Sequence, residues 1–386
     1  MTQTGPLRRV LLNPGPATTS EAVKAALVIP DICPRESEFC AQLAEVRRRL
    51  AELAGNPEEI TAIPVVGSGT TALEAALISL IPTDGRVIFL DNGVYGRRLV
   101  EIARTCGIAH RVIVFGDAKP VDLASVEAVL EADAAAATHL AFVHHETSSG
   151  MLNPLEELTR LARRFDLEVL VDAMSSFGAI PIRVGEDGVD ALVSSANKCL
   201  QAMPGLAFAI ATRSSLDRDR GTQPRSYALD LAAEFDQLEK TGQMRFTCPP
   251  QIVSALHRAL LEIEVEGLSE RGERYRRSMQ TLVRGLSKLG FELLLEERHQ
   301  SWILVAVREP REPWYDFDEL HDALYRLGFT IYPGHPGAGG GEPNFRLSVL
   351  GDIDSRDIEA FLAALEACLT DMKNRCAPAD PAPEKT

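Results

Sequence analysis

The chain is 386 residues long, with 55 acidic against 40 basic side chains and a formal net charge of −15. That balance argues against a nucleic-acid or anionic-membrane binder, because counterion-driven binding needs a dominant basic surface, so an anionic ligand must be held by a local site. The length suggests about two domains, no stretch approaches the ~20 uninterrupted apolar residues of a bilayer span, and the N-terminus lacks a signal peptide's apolar run, which together imply a cytoplasmic protein.

Seven cysteines (33, 40, 106, 199, 248, 368 and 376) form no CxxC pair and are odd in number, as expected of reduced thiols without disulfides or a structural zinc. Between residues 60 and 212, short aliphatic runs alternate with helical segments. The runs are ITAIPVV (60–66), RVIFLD (86–91), HRVIVF (110–115), HLAFVHH (139–145), LEVLVDA around Asp172, VDALVSSA (189–196) and LAFAIAT (206–212). Near-continuous apolar strands alternating with helices predict a mostly parallel sheet buried on both faces, with ligands collecting where the strands' carboxyl ends open into loops.

Beyond residue 250 a long helical stretch leads into FELLL, SWILVAV, a helix near 317–327, FTIYP, FRLSVLG and a final helix near 353–370. The predicted organisation is a large domain over 1–250, with residues 1–30 contributing to the region between the domains, a small α+β domain over 251–372, and a disordered tail over 373–386.

Three constellations carry chemistry. Gly67-Ser68-Gly69-Thr70-Thr71 follows the first strand and opens a helix, so hydroxyls and free amides converge on one spot, as in an anion site; the plainer alternative is a capped strand-to-helix turn. Asp172 ends an apolar strand, where a lone carboxylate must find a partner. That partner is a helix end or a cationic ring; a metal is disfavoured, because no histidine or second acid lies within a few residues. The third is Lys198. Of only seven lysines (24, 119, 198, 240, 288, 373 and 385), it alone sits between an apolar strand end and a Pro-Gly turn, where dry surroundings free the amine to act as a nucleophile. A lysine with a buried stem and a solvated head is the alternative.

Taken together and in this order, a phosphate cup at 67–71, an aromatic ring at Tyr95, a strand-end Asp172 and Lys198 are the parts that a pyridoxal 5'-phosphate site needs. A non-catalytic phosphate-binding α/β protein would leave three of the four unexplained.

The segments LLNPGPATTSEAVKAAL, GSGTTALEA, DNGVYGRRL, HHETSSGMLNP, VDAMSSFGAIPI, SSANKCLQAMPGLAF, MRFTCPP and FRLSVLGDI resemble the class V, fold-type I aminotransferases over about residues 10 to 370. The resemblance implies an α/β, fold-type I pyridoxal-phosphate-dependent transferase with a mostly parallel seven-stranded sheet and a smaller C-terminal α+β domain. It also implies a reversible transfer of an amino group between a small phosphonate amine, 2-aminoethylphosphonate, and a 2-oxo acid, pyruvate. The alternative within the family is another small amine or amino acid, such as alanine or serine with glyoxylate or pyruvate, or a hydroxylated aminoethylphosphonate.

By the same resemblance Lys198 is the Schiff-base lysine and Asp172 the partner of the pyridine nitrogen. Tyr95 stacks on the ring, Ser68, Gly69 and Thr70 bind the cofactor phosphate, Ser195 adds a contact there, and Thr147 touches the phenolic oxygen. Thr247 reaches the phosphate of a neighbouring subunit, which implies a homodimer with shared active sites. Arg346 binds the substrate's acidic group, a role that its fork-shaped guanidinium suits, and Arg35 is a further candidate for that task.

Adjacent strand residues face opposite ways, so His144-His145-Glu146 is not expected to bind metal. Cys199 reads as a small buried apolar residue, Arg47-Arg48-Arg49 as one solvated helical turn, and GHPGAGGGEPN as a mobile loop near the site.

Overall fold

In the computed structural model, residues 8–133, 136–217, 224–335 and 341–376 are described. A short strand β1 (Val10–Leu11) and helices α1 (Glu21–Ala25) and α2 (Ser37–Ala54) precede the main sheet. The sheet is built from β2 (Ile60–Gly67), β3 (Arg86–Asp91), β4 (Ala109–Val114), β5 (His139–Val143), β8 (Glu168–Asp172), β9 (Ala191–Ser195) and β10 (Gly205–Thr212). A separate two-stranded ribbon, β6 (His145–Glu146) with β7 (Met151–Leu152), falls between β5 and β8 in the chain. All seven expected runs enter the one sheet, in the order β2-β10-β9-β8-β5-β3-β4.

The ladder is parallel from β9 through β8, β5 and β3 to β4, while β10 is antiparallel to both β9 and β2. Strands β2, β5, β8 and β9 therefore end at the same edge. Every residue of β5 and β9 is buried, as a strand covered by helices on both faces requires. Pro64 interrupts β2 without losing a ladder bond on the open side, because β2 lies at the end of the sheet and pairs with β10 alone. The connections include α3 (Gly69–Leu80), α4 (Val94–Thr105), α5 (Leu123–Asp133) and α6 (Leu155–Arg163).

After β10 come α7 (Leu231–Thr241), α8 (Pro250–Glu266) and α9 (Leu268–Lys288). Although the sequence suggests a division at 250, α8 buries Val253, Leu256, Leu260 and Ile263 in the same core as the large sheet. Only α9, with Tyr275, Met279, Leu282 and Leu286, enters the second core. The turn between the two helices is Gly267, with φ +87°, a conformation a side chain would strain.

The second core is covered by a three-stranded antiparallel sheet, β11 (Leu304–Arg308), β14 (Asn344–Ser348) and β13 (Tyr332–Pro333) in that order across the sheet, with α10 (Phe317–Arg326) and α11 (Ser355–Cys376). FELLL does not become a strand and contributes one isolated bridge, Leu293 to Val307. Strand β1 joins this part by pairing in parallel with β12 (Phe329–Thr330). Helix α11 continues through residues 373–376, four positions into the stretch expected to be a tail. Residues 377–386, and 336–340 of the glycine-rich loop, lie outside the described residues.

The arginine run on α2 departs from its expected solvated turn. Arg47 is largely buried and donates to the carbonyl of Ala62 (2.9 Å), Thr61 Oγ1 (3.0 Å) and Glu239 (2.9 Å), while Arg49 pairs with Glu45 and Glu264. Long stems let these cations clamp α2 to its neighbours, and only Arg48 keeps to helix-surface pairs with Glu45 and Glu52. Among the described residues no helix is long and apolar enough to cross a membrane.

Candidate active site

A cavity of about 350 Å³ opens at the edge where β2, β8 and β9 end. The phosphate-cup sequence forms one wall. Ser68 caps α3 from within: its Oγ accepts the N–H of Thr71 (3.3 Å) while Thr71 Oγ1 accepts the N–H of Ser68 (3.3 Å). Gly69 and Thr70 line the cavity from the first turn of that helix, where no intrahelical carbonyl takes up the amides. A Cβ at Gly69 would overlap Met174, so the wall is tight on that side.

Across from it, α4 presents Tyr95 and Arg98 one turn apart. The Arg98 guanidinium lies over the Tyr95 ring at 4.6 Å and reaches Thr70 Oγ1 at 3.4 Å. At the floor, Asp172 is fully buried and accepts the N–H of Met174 (2.9 Å). Burial pushes its carboxyl up to about 7; Glu146 adds to the rise, while Met174 N–H, Arg98 and Lys198 oppose it.

Lys198 follows β9 at Asn197-Lys198. Burial lowers its ammonium to about 8, with Arg346 and Arg98 acting in the same sense and Asp172 against it. The amine donates to the carbonyl of Pro14 (2.5 Å), from a strap that begins at β1 and crosses the site. The strap is anchored on both sides: Ala17 N–H donates to Asn197 O (3.0 Å), and Ser348 Oγ donates to Asn13 O (3.0 Å). Gly15, at φ +132°, passes so close that a Cβ would overlap the lysine side chain.

Of the residues the sequence singles out, Ser68, Gly69, Thr70, Tyr95, Thr147, Asp172, Ser195 and Lys198 line this one cavity. Arg346, on β14, is buried next to it. Among the described residues its guanidinium donates only to backbone carbonyls, of Pro333 (3.1 and 3.0 Å) and Thr147 (3.4 Å), and lies over Tyr332. A buried cation held by carbonyls alone retains an unneutralised charge for an anion.

Arg35 and Thr247 lie elsewhere in the same chain. Arg35 is exposed and braced by the carbonyls of Met244 and Arg245 and by Gln243; Thr247 is exposed, beside Val66 and Phe246 in a separate apolar recess.

The cavity also holds residues that the sequence left unmarked. Arg98 is legible in retrospect, since positions three apart share a helix face and Tyr95 was already marked. His145 hydrogen-bonds Ser175 (3.0 Å) and Ser301 (2.7 Å), and His144 hydrogen-bonds Ser176 (3.0 Å), so both serve packing across the site. Burial holds the two rings down, at about 4 for His144 and about 3 for His145, which keeps them neutral. Cys199 is buried with its thiol pushed up to about 12 by desolvation, and its Sγ donates to Ser175 O.

The family model described as Aminotransferase class-V matches residues 23–312. The chain belongs to the class-V aminotransferase family.

Among relatives of this aminotransferase, the 2-aminoethylphosphonate--pyruvate transaminase of Klebsiella pneumoniae is 41% identical over 360 residues, 92% of this chain and 96% of the relative. The Vibrio cholerae protein of the same name is 40% identical over 361 residues, again 92% and 96%. Among solved structures, the ureidoglycine-glyoxylate aminotransferase of Bacillus subtilis superposes with a TM-score of 0.86 at 23% identity, covering 99% of this chain and 97% of that one, a likeness of fold.

Proposed function

We propose that this class-V aminotransferase moves an amino group between 2-aminoethylphosphonate and pyruvate, giving phosphonoacetaldehyde and L-alanine reversibly, with pyridoxal 5'-phosphate as cofactor. The observation that carries the reading is a buried amine, Lys198, sharing one cavity with Asp172 and an open helix N-terminus. It occurs in a chain 40–41% identical to transaminases named for those two substrates.

The residues fit the cofactor. A 350 Å³ cavity lies within the size range of small-ligand sites. The first turn of α3 with Ser68, Gly69, Thr70 and Ser195 would hold the phosphate, Tyr95 the ring face, Thr147 the phenolic oxygen and Asp172 the ring nitrogen. Bound there, pyridoxal phosphate supplies an electron sink for the carbon that carries the transferred amine.

The protein's own groups do the rest. Asp172, at about 7 in the protein alone, becomes a stable anion once a cation faces it, and so keeps a ring nitrogen protonated. Lys198, lowered to about 8, is a free amine far more often at neutral pH than an ordinary lysine and moves the proton at the substrate's C1. The Pro14 carbonyl and the tight passage of Gly15 orient that amine and keep water from it. Arg346 grips the phosphonate in one half-reaction and the carboxylate in the other, since one guanidinium fork suits both.

A homodimer completes the reading. Thr247 lies on a face with exposed Val66, Phe246 and Tyr227, an apolar patch suited to a second copy, and there Thr247 serves the partner's phosphate site, with Arg35 on the same face. The described cysteines are all free thiols, in keeping with a cytoplasmic setting.

The test is a donor panel. Purified enzyme absorbs near ~410–420 nm and bleaches with aminoethylphosphonate and with alanine, the two amines of the proposed reaction, whereas serine and a hydroxylated aminoethylphosphonate give kcat/KM about 100-fold lower. A carboxylate donor other than alanine that reacts faster than aminoethylphosphonate, or turnover by Lys198→Ala, overturns the assignment.

A further inference from the structure

Glu146 is a buried carboxylate to which the reaction as described gives no task. It is fully shielded from solvent, and burial raises its carboxyl above the usual range. Its two oxygens are committed in opposite directions. Oε2 accepts the backbone N–H of Tyr95 (2.9 Å) and of Gly96 (3.2 Å), in the first turn of α4. Oε1 accepts the N–H (3.1 Å) and the hydroxyl (2.5 Å) of Ser148.

Helix α4 has no cap of its own. Its N-cap is Gly93, which makes no side-chain cap bond, so Glu146 supplies from another strand the acceptor that a local Ser or Asp would give. The backbone has made room for it: a Cβ at Gly93 would overlap the Glu146 side chain, although the extended φ of 174° there suits any residue. The glycine in DNGVYG thus answers to the glutamate of HHETSSG.

What the carboxylate joins are two walls of the cavity. Tyr95, whose own amide it holds, lines one side; Thr147, the next residue in the chain, lines another and offers its carbonyl to Arg346 (3.4 Å). A shift of Glu146 therefore moves the aromatic wall and the anion grip together, and its charge acts on Asp172 as well.

We propose that Glu146 is a positioning residue for the transamination: as a buried, remote cap on α4 it fixes the Tyr95 ring and the Thr147 backbone in register with Lys198 and Asp172. This rests on the reading that Tyr95 faces the cofactor ring.

The test compares Glu146→Gln, Glu146→Ala and Gly93→Ala with wild type by three measurements. These are hydrogen exchange of the Tyr95 and Gly96 amides in apo protein, visible circular dichroism of the pyridoxal-phosphate-loaded protein, and kcat and KM for aminoethylphosphonate. In Glu146→Ala those amides exchange at least roughly tenfold faster while amides of β8 and β9 hold. The induced dichroism of the cofactor shrinks, and kcat falls about 100-fold, the scale of a 1 Å misplacement, with a smaller change in KM. Gly93→Ala pushes the carboxylate aside and reproduces the pattern more weakly.

Glu146→Gln keeps one acceptor oxygen and recovers part of each signal; it carries the comparison alone where the alanine variant does not fold. Folded variants with wild-type exchange at Tyr95 and unchanged dichroism overturn the proposal. Because the exchange measurement needs neither cofactor nor substrate, loosened amides beside a failed donor panel sink the assignment of activity only.

Discussion

Two helices begin side by side at the cavity, and they are closed in different ways. Helix α3 is capped by the residue just before it, Ser68, in a reciprocal bond with Thr71. Helix α4 starts at a bare Gly93 and is closed by Glu146, 51 positions from Tyr95. A cap supplied by its neighbour leaves the outward amides of Gly69 and Thr70 for an incoming anion, while in α4 Glu146 takes the amides of Tyr95 and Gly96 and Ser148 Oγ that of Val94 (3.4 Å). One N-terminus is open to an incoming charge and the other already holds its own, which is why the proposed cofactor phosphate is assigned to α3.

The strongest way to break this contrast is to give α3 what α4 has. Thr70→Asp sets a carboxylate beside the proposed phosphate seat, and pyridoxal phosphate affinity, read by titration of the visible absorbance, falls about 100-fold, as like charges in one site cost several kcal/mol. The apo protein moves the other way. An acid in the first turn of a helix adds about 0.3–1 kcal/mol, seen as an unchanged or higher denaturant midpoint. Affinity that survives the substitution ends the idea that α3 is the receptor.

The amine between the two helices gives a smaller effect. The folded apo chain holds the Lys198 ammonium at about 8 against 10.5 for an ordinary lysine. Between those values the unfolded chain binds more protons, so stability attributable to Lys198 rises with pH through the window. Apo Lys198→Met is accordingly more stable than wild type near pH 7.5, and the gap in urea midpoint narrows towards pH 10. A gap independent of pH places the amine in a wetter setting than its burial indicates.

The smallest effect sharpens the contrast: Ser68→Ala removes the internal cap at a cost of about 1 kcal/mol in denaturant unfolding, and cofactor affinity declines with it. No loss would mean that Thr71 alone closes the helix.

The difference between the two caps also explains what could be read from sequence. The seven strands were legible because a strand buried on both faces is written as an apolar run, and Asp172 and Lys198 stood out as charges set against such runs. Ser68 was legible because a capping residue lies next to the helix it serves. Glu146 was not: it entered as a neighbour of His144 and His145, and nothing local ties it to Gly93. The same reasoning covers Arg47, whose partners Thr61 and Glu239 come from other elements. It covers α8 too, whose apolar stripe gives no hint of which of two cores receives it. Spacing speaks for contacts within one element, and tertiary contacts need the fold.

The strap over Lys198 has a consequence for how the protein is made. Val10 and Leu11 find their strand partners at Phe329 and Thr330, and the carbonyl of Asn13 waits for Ser348, so the first described residues to leave the ribosome are among the last to be tied down. The strands of the large sheet are fully synthesised by Thr212 and the last helix of its core, α8, by Glu266, so that core can form while translation continues. The lysine is then in place before its neighbouring Arg346 is made. Until that point the strap has its anchor at Asn197 but not the one at Ser348, and the pocket is finished only when β14 reaches Asn13.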